Sequence, residues 1–388
     1  MTVTGPGNAP DAPHVVDVVA LGESMVTFLP TRPGRLADVP SFDRGIGGAE
    51  SNTACALAAA GHTTRWVSRV GADGFGDHLL ETIAGHGVDV SYVRRDPDRP
   101  TGVYFRTAGD RAGDTHEVAY YRAGSAASAM SVTGVDLDAA GAGRVLHLSG
   151  ITAALSDGCL ALLRHLTAPR PGRPLISFDV NHRPGLWRDG PGPEVLLELA
   201  RGADIVFVGE DEAESAWGID GGPSSIRAAL PEPDILVVKQ GARRAVAFGR
   251  TAGGRAARGD GGPPARAEPG AGNDGHGGTP PAPVRAPRPA ATAPALDVDV
   301  VATTGAGDAF AAGFLSATLR GLPLRTRLRH GHLTAAAALT APGDLAAPPA
   351  RALADRLAAL DDTAWGRLRL GPGWTHADQG PEEEVRTP

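Results

Sequence analysis

The run Thr303-Thr304-Gly305-Ala306-Gly307-Asp308-Ala309-Phe310 sets a glycine-rich turn in front of an apolar-periodic stretch through Phe314, Leu315 and Leu319. Such a turn aims backbone N–H groups at one point and the positive end of the following helix reinforces them, so Gly305, Ala306 and Gly307 suit a transferring phosphoryl group. Asp308 falls in the first helical turn, where the dipole favours the ionised carboxylate, which can then accept a proton. Phosphoryl transfer asks the protein chiefly to position reactants and stabilise charge, with one carboxylate orienting the attacking hydroxyl. An ordinary helix start carrying an aspartate would have the same local sequence. A second glycine run, Gly45-Ile46-Gly47-Gly48-Ala49-Glu50-Ser51-Asn52, leads into an alanine-rich stretch and permits close approach of backbone to a small polar ligand.

Both runs need strands to deliver them and helices to anchor them. Val15 to Leu21 is a short apolar run ending at Gly22 and reads as a buried strand. Ser51 to Gly61 reads as a helix with Gly61 as its C′ residue, Arg65 to Val70 as a strand, Leu79 to His86 as a helix, and Val88 to Val93 as a strand. From Thr101 to Tyr121 two alternating runs flank a Gly/Asp-rich turn, the signature of an antiparallel hairpin with one face toward solvent or ligand. Beyond Ala140, strand-like runs (Val145 to Leu148, Leu175 to Phe178, Ile205 to Val208, Ile235 to Val238) alternate with helical stretches such as Cys159 to Leu166. That alternation predicts βαβ units, a parallel sheet, and ligands beyond the strands' carboxyl ends. Leu296 to Val301 is a further strand-like run, feeding the Thr303 turn.

The 388 residues can bury one large core. A net charge of −7 and no Lys/Arg cluster exclude a nucleic-acid binder. Two cysteines, Cys55 and Cys159, cannot build a disulfide framework or a four-ligand zinc site, and the histidines have no metal spacing. Residues 1–14 carry neither the basic nor the apolar region of a secretion signal and are expected to form a disordered leader. No apolar run is long enough to span a bilayer, so a cytoplasmic protein is expected. Lys239 is the only lysine, a bias attributable to GC-rich coding. Residues 251–294, rich in Gly, Pro, Ala and Arg, read as a disordered insertion, and 371–388 as a disordered tail.

The two glycine motifs, in this order, resemble the two signatures of the ribokinase-like (PfkB) family of carbohydrate kinases, over residues 15 to about 360. The resemblance implies an α/β fold: a three-layer α/β/α sandwich with a mostly parallel central sheet, spanning 15–370, and a small β-sheet lid drawn from 26–43 and 100–122. It also implies ATP with Mg²⁺, Asp308 as base, an anion hole of Gly305, Ala306 and Gly307, and pairing of two copies through the lids.

A sugar acid needs a cation, ideally an arginine fork, where a neutral sugar needs Asp and Asn. Arg122, in Tyr120-Tyr121-Arg122, and Arg183, in Asp179-Val180-Asn181-His182-Arg183, would supply it. With the Gly-Gly-Ala-Glu start, these stretches resemble 2-keto-3-deoxygluconate kinases within the family. By that resemblance Gly48, Tyr104, Tyr120, Arg122 and Arg183 line the substrate pocket, and Asn52 and Asp344 are further candidates to meet the substrate. Lys239, Gly241, Thr304, Gly305 and Gly307 would meet ATP, and Glu212 would support Mg²⁺ through water. The bland alternatives are a solvated edge charge for Arg122, surface ion pairs for Arg183, a turn residue for Asp344, and structural roles for Lys239 and Glu212. Two positions depart from the family pattern, Ala302 where the signature has Asp and Gly209 where the magnesium motif opens with Asn. A neutral-sugar kinase of fructokinase or ribokinase type, or a catalytically weak sugar-acid binding protein, are the competing readings. Transfer is expected in line, onto the hydroxyl remote from the carboxylate.

Overall fold

The computed structural model describes residues 13–32, 34–107, 117–187, 192–250 and 287–376. The chain opens with β1 (Val16–Leu21) and turns at Gly22 and Glu23 into β2 (Met25–Pro30) and β3 (Phe42–Gly47). The helix Ala49–Ala59 leads to β4 (Thr64–Gly71), and Gly74–Gly85 to β5 (Val93–Asp96), before β6 (Val103–Arg106) and β7 (Val118–Tyr121). A βα alternation then lays down β8 (Gly143–Ser149), β9 (Leu175–Asp179), β10 (Ile205–Gly209) and β11 (Ile235–Lys239). The hairpin strands β12 (Arg244–Phe248) and β13 (Ala291–Pro294) follow, then β14 (Asp297–Val298), the helices Ala306–Leu319 and Leu324–Leu339, and β15 (Arg369–Leu370).

Nine strands form one sheet in the order β13-β12-β11-β10-β9-β8-β1-β4-β5, parallel from β11 to β5 and antiparallel at the β12 and β13 edge. Its central strands, β10 and β11 most clearly, are apolar on both faces, as burial between two helical layers requires. In β10, Val206 and Val208 join one cluster with Leu163, Leu166 and Leu196, while Ile205 and Phe207 face Phe310, Phe314 and Leu315 across the sheet. Parallel pairing also brings carboxyl ends together: Ser149 lies opposite Asp179, Phe207 opposite Asp179, and Gly209 opposite Lys239. The second sheet, β3-β2-β6-β7, is the lid; β2 follows β1 after the Gly22 turn, and β3 returns the chain to the main body at Gly47. The hairpin turn expected between β6 and β7 falls within 108–116, outside the described residues.

Several boundaries differ from expectation. Val88 to Val93 is not a strand. The Asp89 carboxylate accepts from the Ser91 amide at 3.0 Å, and this local turn leaves only a bridge to Arg65 before β5 begins. The run Leu296–Val301 pairs only at Asp297–Val298, with β15 and outside the large sheet. The strand that closes the sheet's edge is Ala291–Pro294, inside the stretch read as insertion; an Ala/Pro-rich edge strand has the composition of a linker. Residues 251–286 lie outside the described residues. Of the expected tail, 371–376 is described and Trp374 packs near Trp365, while 377–388 lies outside. Of the leader, His14 accepts from Arg65 Nη2 at 3.1 Å, and 1–12 lies outside the described residues.

The helices Ala306–Leu319 and Leu324–Leu339 meet at Gly313, where a Cβ would stand 2.4 Å from the His330 carbonyl oxygen. Gly313→Ala therefore forces the two helices apart and is expected to cost about 1–3 kcal/mol, read as a lower denaturation midpoint. Gly85→Ala, with nothing near its Cβ, should instead raise stability by about 0.5–1 kcal/mol.

Candidate active site

A cavity of about 820 Å³ opens at the carboxyl edge of the large sheet, walled by the lid on one side and by the strand ends and the Gly305 turn on the other. Gly305 has φ 78°, and a Cβ there would lie 2.2 Å from the Asp344 carbonyl oxygen, so only glycine fits this left-handed, crowded position. The amide of Ala309 is the first to bond back, to the Gly305 carbonyl at 2.9 Å, which leaves the preceding amides at the open end of the helix. Thr303, Thr304, Gly305, Gly307 and Asp308 reach the cavity wall; Ala306 opens the helix behind it.

Asn52 does not point to a ligand alone: it donates from Nδ2 to Asp308 Oδ2 at 2.9 Å, while Thr53 Oγ1 donates to the Asp308 carbonyl at 3.2 Å. Two helices far apart in sequence are thus joined at the carboxylate. The helix dipole expected to favour the ionised form of Asp308 is outweighed here. Asp308 stands half-buried in the cavity wall, and its withdrawal from water, opposed by the Asn52 bond and aided by the negative charge of Asp179, pushes its carboxyl group up to about 7. A group at that value exchanges protons near neutrality, as a general base must.

Cations and carboxylates alternate around the wall. Lys239 Nζ lies 3.3 Å from Asp179 Oδ1. Burial works against its charge, but Asp179, Glu212 and Asp308 outweigh it and raise its pKa. Glu212 accepts from the Gly209 amide at 2.7 Å, capping its own helix, and burial raises its pKa. Arg183 is half-exposed, bonds the His182 carbonyl at 3.1 Å, and stands 3.8 Å from Glu212. Arg122 donates to Glu23, whose other oxygen accepts from Ser125 Oγ at 2.5 Å, so this arginine is held from behind by a buried carboxylate. Tyr104 donates to Asp344 Oδ2 at 2.5 Å, and Tyr120 stacks near it at 5.5 Å between ring centres. A Cβ at Gly48 would stand 2.4 Å from the Glu23 carbonyl oxygen, which accounts for the glycine run there.

Of the residues expected at the site, Gly48, Asn52, Tyr104, Tyr120, Arg122, Arg183, Asp344, Glu212 and Lys239 all line this one cavity. Gly241 does not; with φ 57° it makes the turn between β11 and β12. The sequence reading gives no role to Glu23, Asp179, Asn181 or Arg106, although Asp179 and Asn181 belong to the Arg183 motif. Asn181, with φ 41°, is the one non-glycine residue at positive φ among those described, and its buried Oδ1 has no hydrogen-bond partner. Arg106 was legible, because it alternates with Tyr104 on one face of β6.

The glycine turn, the free helix end and Lys239 fit a triphosphate: a Cβ on Gly307 would lie 3.6 Å from Lys239 Nζ, so backbone and amine face one space. Among the described residues no group of three or more His, Cys, Asp or Glu could cage a metal ion. Asp179 and Glu212 fit the looser demand of Mg²⁺, which keeps most of its ligands as water and phosphate oxygens. No helix among the described residues is long and apolar enough to cross a membrane.

A family model for pfkB family carbohydrate kinases matches residues 16–259 and 290–351. A 2-dehydro-3-deoxygluconokinase from Bacillus subtilis is 33% identical over 346 residues, covering 87% of this chain and 93% of the relative. A probable chloroplastic fructokinase from Arabidopsis thaliana is 28% identical, covering 82% and 73%. The solved structure of a 2-dehydro-3-deoxygluconokinase from Thermotoga maritima superimposes with a TM-score of 0.71 at 22% identity, covering 90% and 99%.

The raised pKa of Asp308 has a consequence for stability. Its folded value of about 7 exceeds the ordinary carboxylate value, so the folded state binds its proton more tightly than the unfolded state does. The cost of ionising it is fully present above pH 7, shrinks as pH falls from there toward the unfolded value, and is gone below it. Asp308→Asn should therefore raise the thermal midpoint at pH 8 and change it far less at pH 4, as read by calorimetry.

Proposed function

The chain belongs to the pfkB family of carbohydrate kinases, and from that premise we propose that it phosphorylates a small sugar acid, 2-keto-3-deoxygluconate above others, with ATP as donor. One observation carries the choice of an acid: Arg122 and Arg183 face the same cavity as Asp308. A guanidinium fork recognises a carboxylate through two parallel charge-assisted bonds. Glu23 orients Arg122 without filling the cavity, since Glu23 is buried behind it. Arg183 has only the distant Glu212 carboxylate at 3.8 Å, so its charge remains available. The likeness to the Bacillus subtilis 2-dehydro-3-deoxygluconokinase supports the same choice.

The acceptor's carboxylate at the arginines leaves its far hydroxyl for Asp308. Asn52 fixes one carboxylate oxygen by its 2.9 Å bond, which leaves the other to take the hydroxyl proton. The acceptor oxygen then bonds the γ-phosphorus as the bond to the bridging oxygen breaks, ADP leaves, and the proton stays on Asp308. Amides of the Gly305 to Gly307 turn stabilise the charge on the transferring oxygens. Asp179 and Glu212 would hold Mg²⁺ through water; the ion's contribution when bound is to screen the triphosphate charge. A reaction joining ATP to a small metabolite belongs in the cytoplasm.

A screen of keto-acids and neutral sugars with the purified chain tests the reading, and turnover of fructose or ribose in preference to every sugar acid would overturn it. Arg122→Ala and Arg183→Ala should each lower kcat/KM for the sugar acid by about 100-fold or more while changing any neutral-sugar activity by under about threefold. Asp308→Asn should lower kcat by about 100-fold to 10,000-fold. Because Asp308 must be ionised to accept the proton and titrates at about 7, kcat/KM should fall with unit slope below that pH and level off above it.

A further inference from the structure

Three segments distant in sequence, β6, the Gly305 turn and the end of β3, converge on Asp344. From the lid strand β6, Arg106 Nη2 donates to Oδ1 at 2.6 Å, and Tyr104 donates to Oδ2 at 2.5 Å. Asp344 itself belongs to the turn after the helix Leu324–Leu339, and its carbonyl oxygen abuts Gly305 so closely that a Cβ there would lie at 2.2 Å. The amides of Val301 and Ala302, just upstream of the Gly305 turn, bond the Leu339 carbonyl at 2.7 and 3.3 Å. The phosphate-facing turn and the Asp344 turn are therefore one rigid unit, and β6 is tied to it by two side chains. The third segment is the end of β3: a Cβ on Gly47 would meet the Tyr104 hydroxyl at 2.1 Å and Asp344 Oδ2 at 2.6 Å, so the chain's return from lid to body is shaped around the same contact.

Arg106 is 3% exposed and Asp344 6%. A pair this buried is costly to separate, since each charge left alone needs water or a new partner. Any movement of β6 away from the body must expose both. Tyr104 stays a donor through this, its hydroxyl kept protonated by burial and by the Asp344 charge.

We propose that Arg106 is a positioning residue: through Asp344 it latches the lid onto the anion turn, so that the acceptor hydroxyl, and not water, meets the transferring phosphoryl group. Lid closure that excludes water suppresses the side reaction in which ATP is hydrolysed. This rests on the kinase reading above for its acceptor but not for its geometry. A merely structural ion pair would lower the melting temperature and leave the fate of the phosphoryl group unchanged.

The test compares wild type with Arg106→Met, Arg106→Lys and Asp344→Asn. Expected for Arg106→Met is a fall in kcat of about tenfold or more with KM for ATP within about threefold. The ratio of ADP released to acceptor phosphorylated should climb well above one, and Arg106→Lys should restore part of the coupling. Asp344→Asn, which removes the charge from the pair and leaves an acceptor for Tyr104, should uncouple in the same way. Hydrogen exchange of the amides in 103–106 and 118–121, measured without acceptor, should be about tenfold faster in Arg106→Met or, if that variant does not fold, in Asp344→Asn. Unchanged coupling and unchanged lid exchange in the folded variants overturn the latch. If no sugar acid is a substrate, the exchange measurement still decides the latch, so the two failures are distinguishable.

Discussion

A base for phosphoryl transfer has to lose its proton in a place where negative charge is about to gather. Asp308 meets this by being buried enough to bind a proton near neutrality and bonded enough, through Asn52, to release it. The rest of the architecture follows from that contact. Asn52 opens one helix and Asp308 another, so both helices must start at the same point above the sheet and run side by side beneath the β1 and β8 region.

Charge is arranged around the cavity in neutral pairs. Lys239 answers Asp179, Arg106 answers Asp344, and Arg122 answers Glu23. The pairs differ in what they leave over. Asp344 is committed to two lid donors, and Lys239 is hemmed in by three carboxylates, whereas Arg183 has a single carboxylate neighbour at a loose 3.8 Å. A polar ligand entering such a wall finds orientation already fixed and spends little on reorganisation.

Much of the architecture was readable from residue order. The parallel strands Val145 to Leu148, Leu175 to Phe178, Ile205 to Val208 and Ile235 to Val238 announced themselves as apolar runs because burial on both faces leaves no polar alternation. Gly61 marked its helix end through a positive φ. What escaped was set by tertiary partners. Ala291–Pro294 gains its place from pairing with β12, not from propensity, and Asp89 diverted a promising apolar run by bonding its own neighbour. At the site, residue types near strand ends pointed to the right cavity, but who bonds whom was hidden. Asn52 was read toward the ligand and turned out to hold the base, and Glu23, at the end of β1, has no local signal that it will grip an arginine from β7's far end.

The chain's single ε-amine lies in the wall of its working cavity, salt-bonded to Asp179. Every other fixed positive side chain is a guanidinium, which acylating reagents and lysine-modifying enzymes do not touch. Acylation of a side-chain amine can therefore fall only on Lys239, where it removes a charge that three carboxylates face.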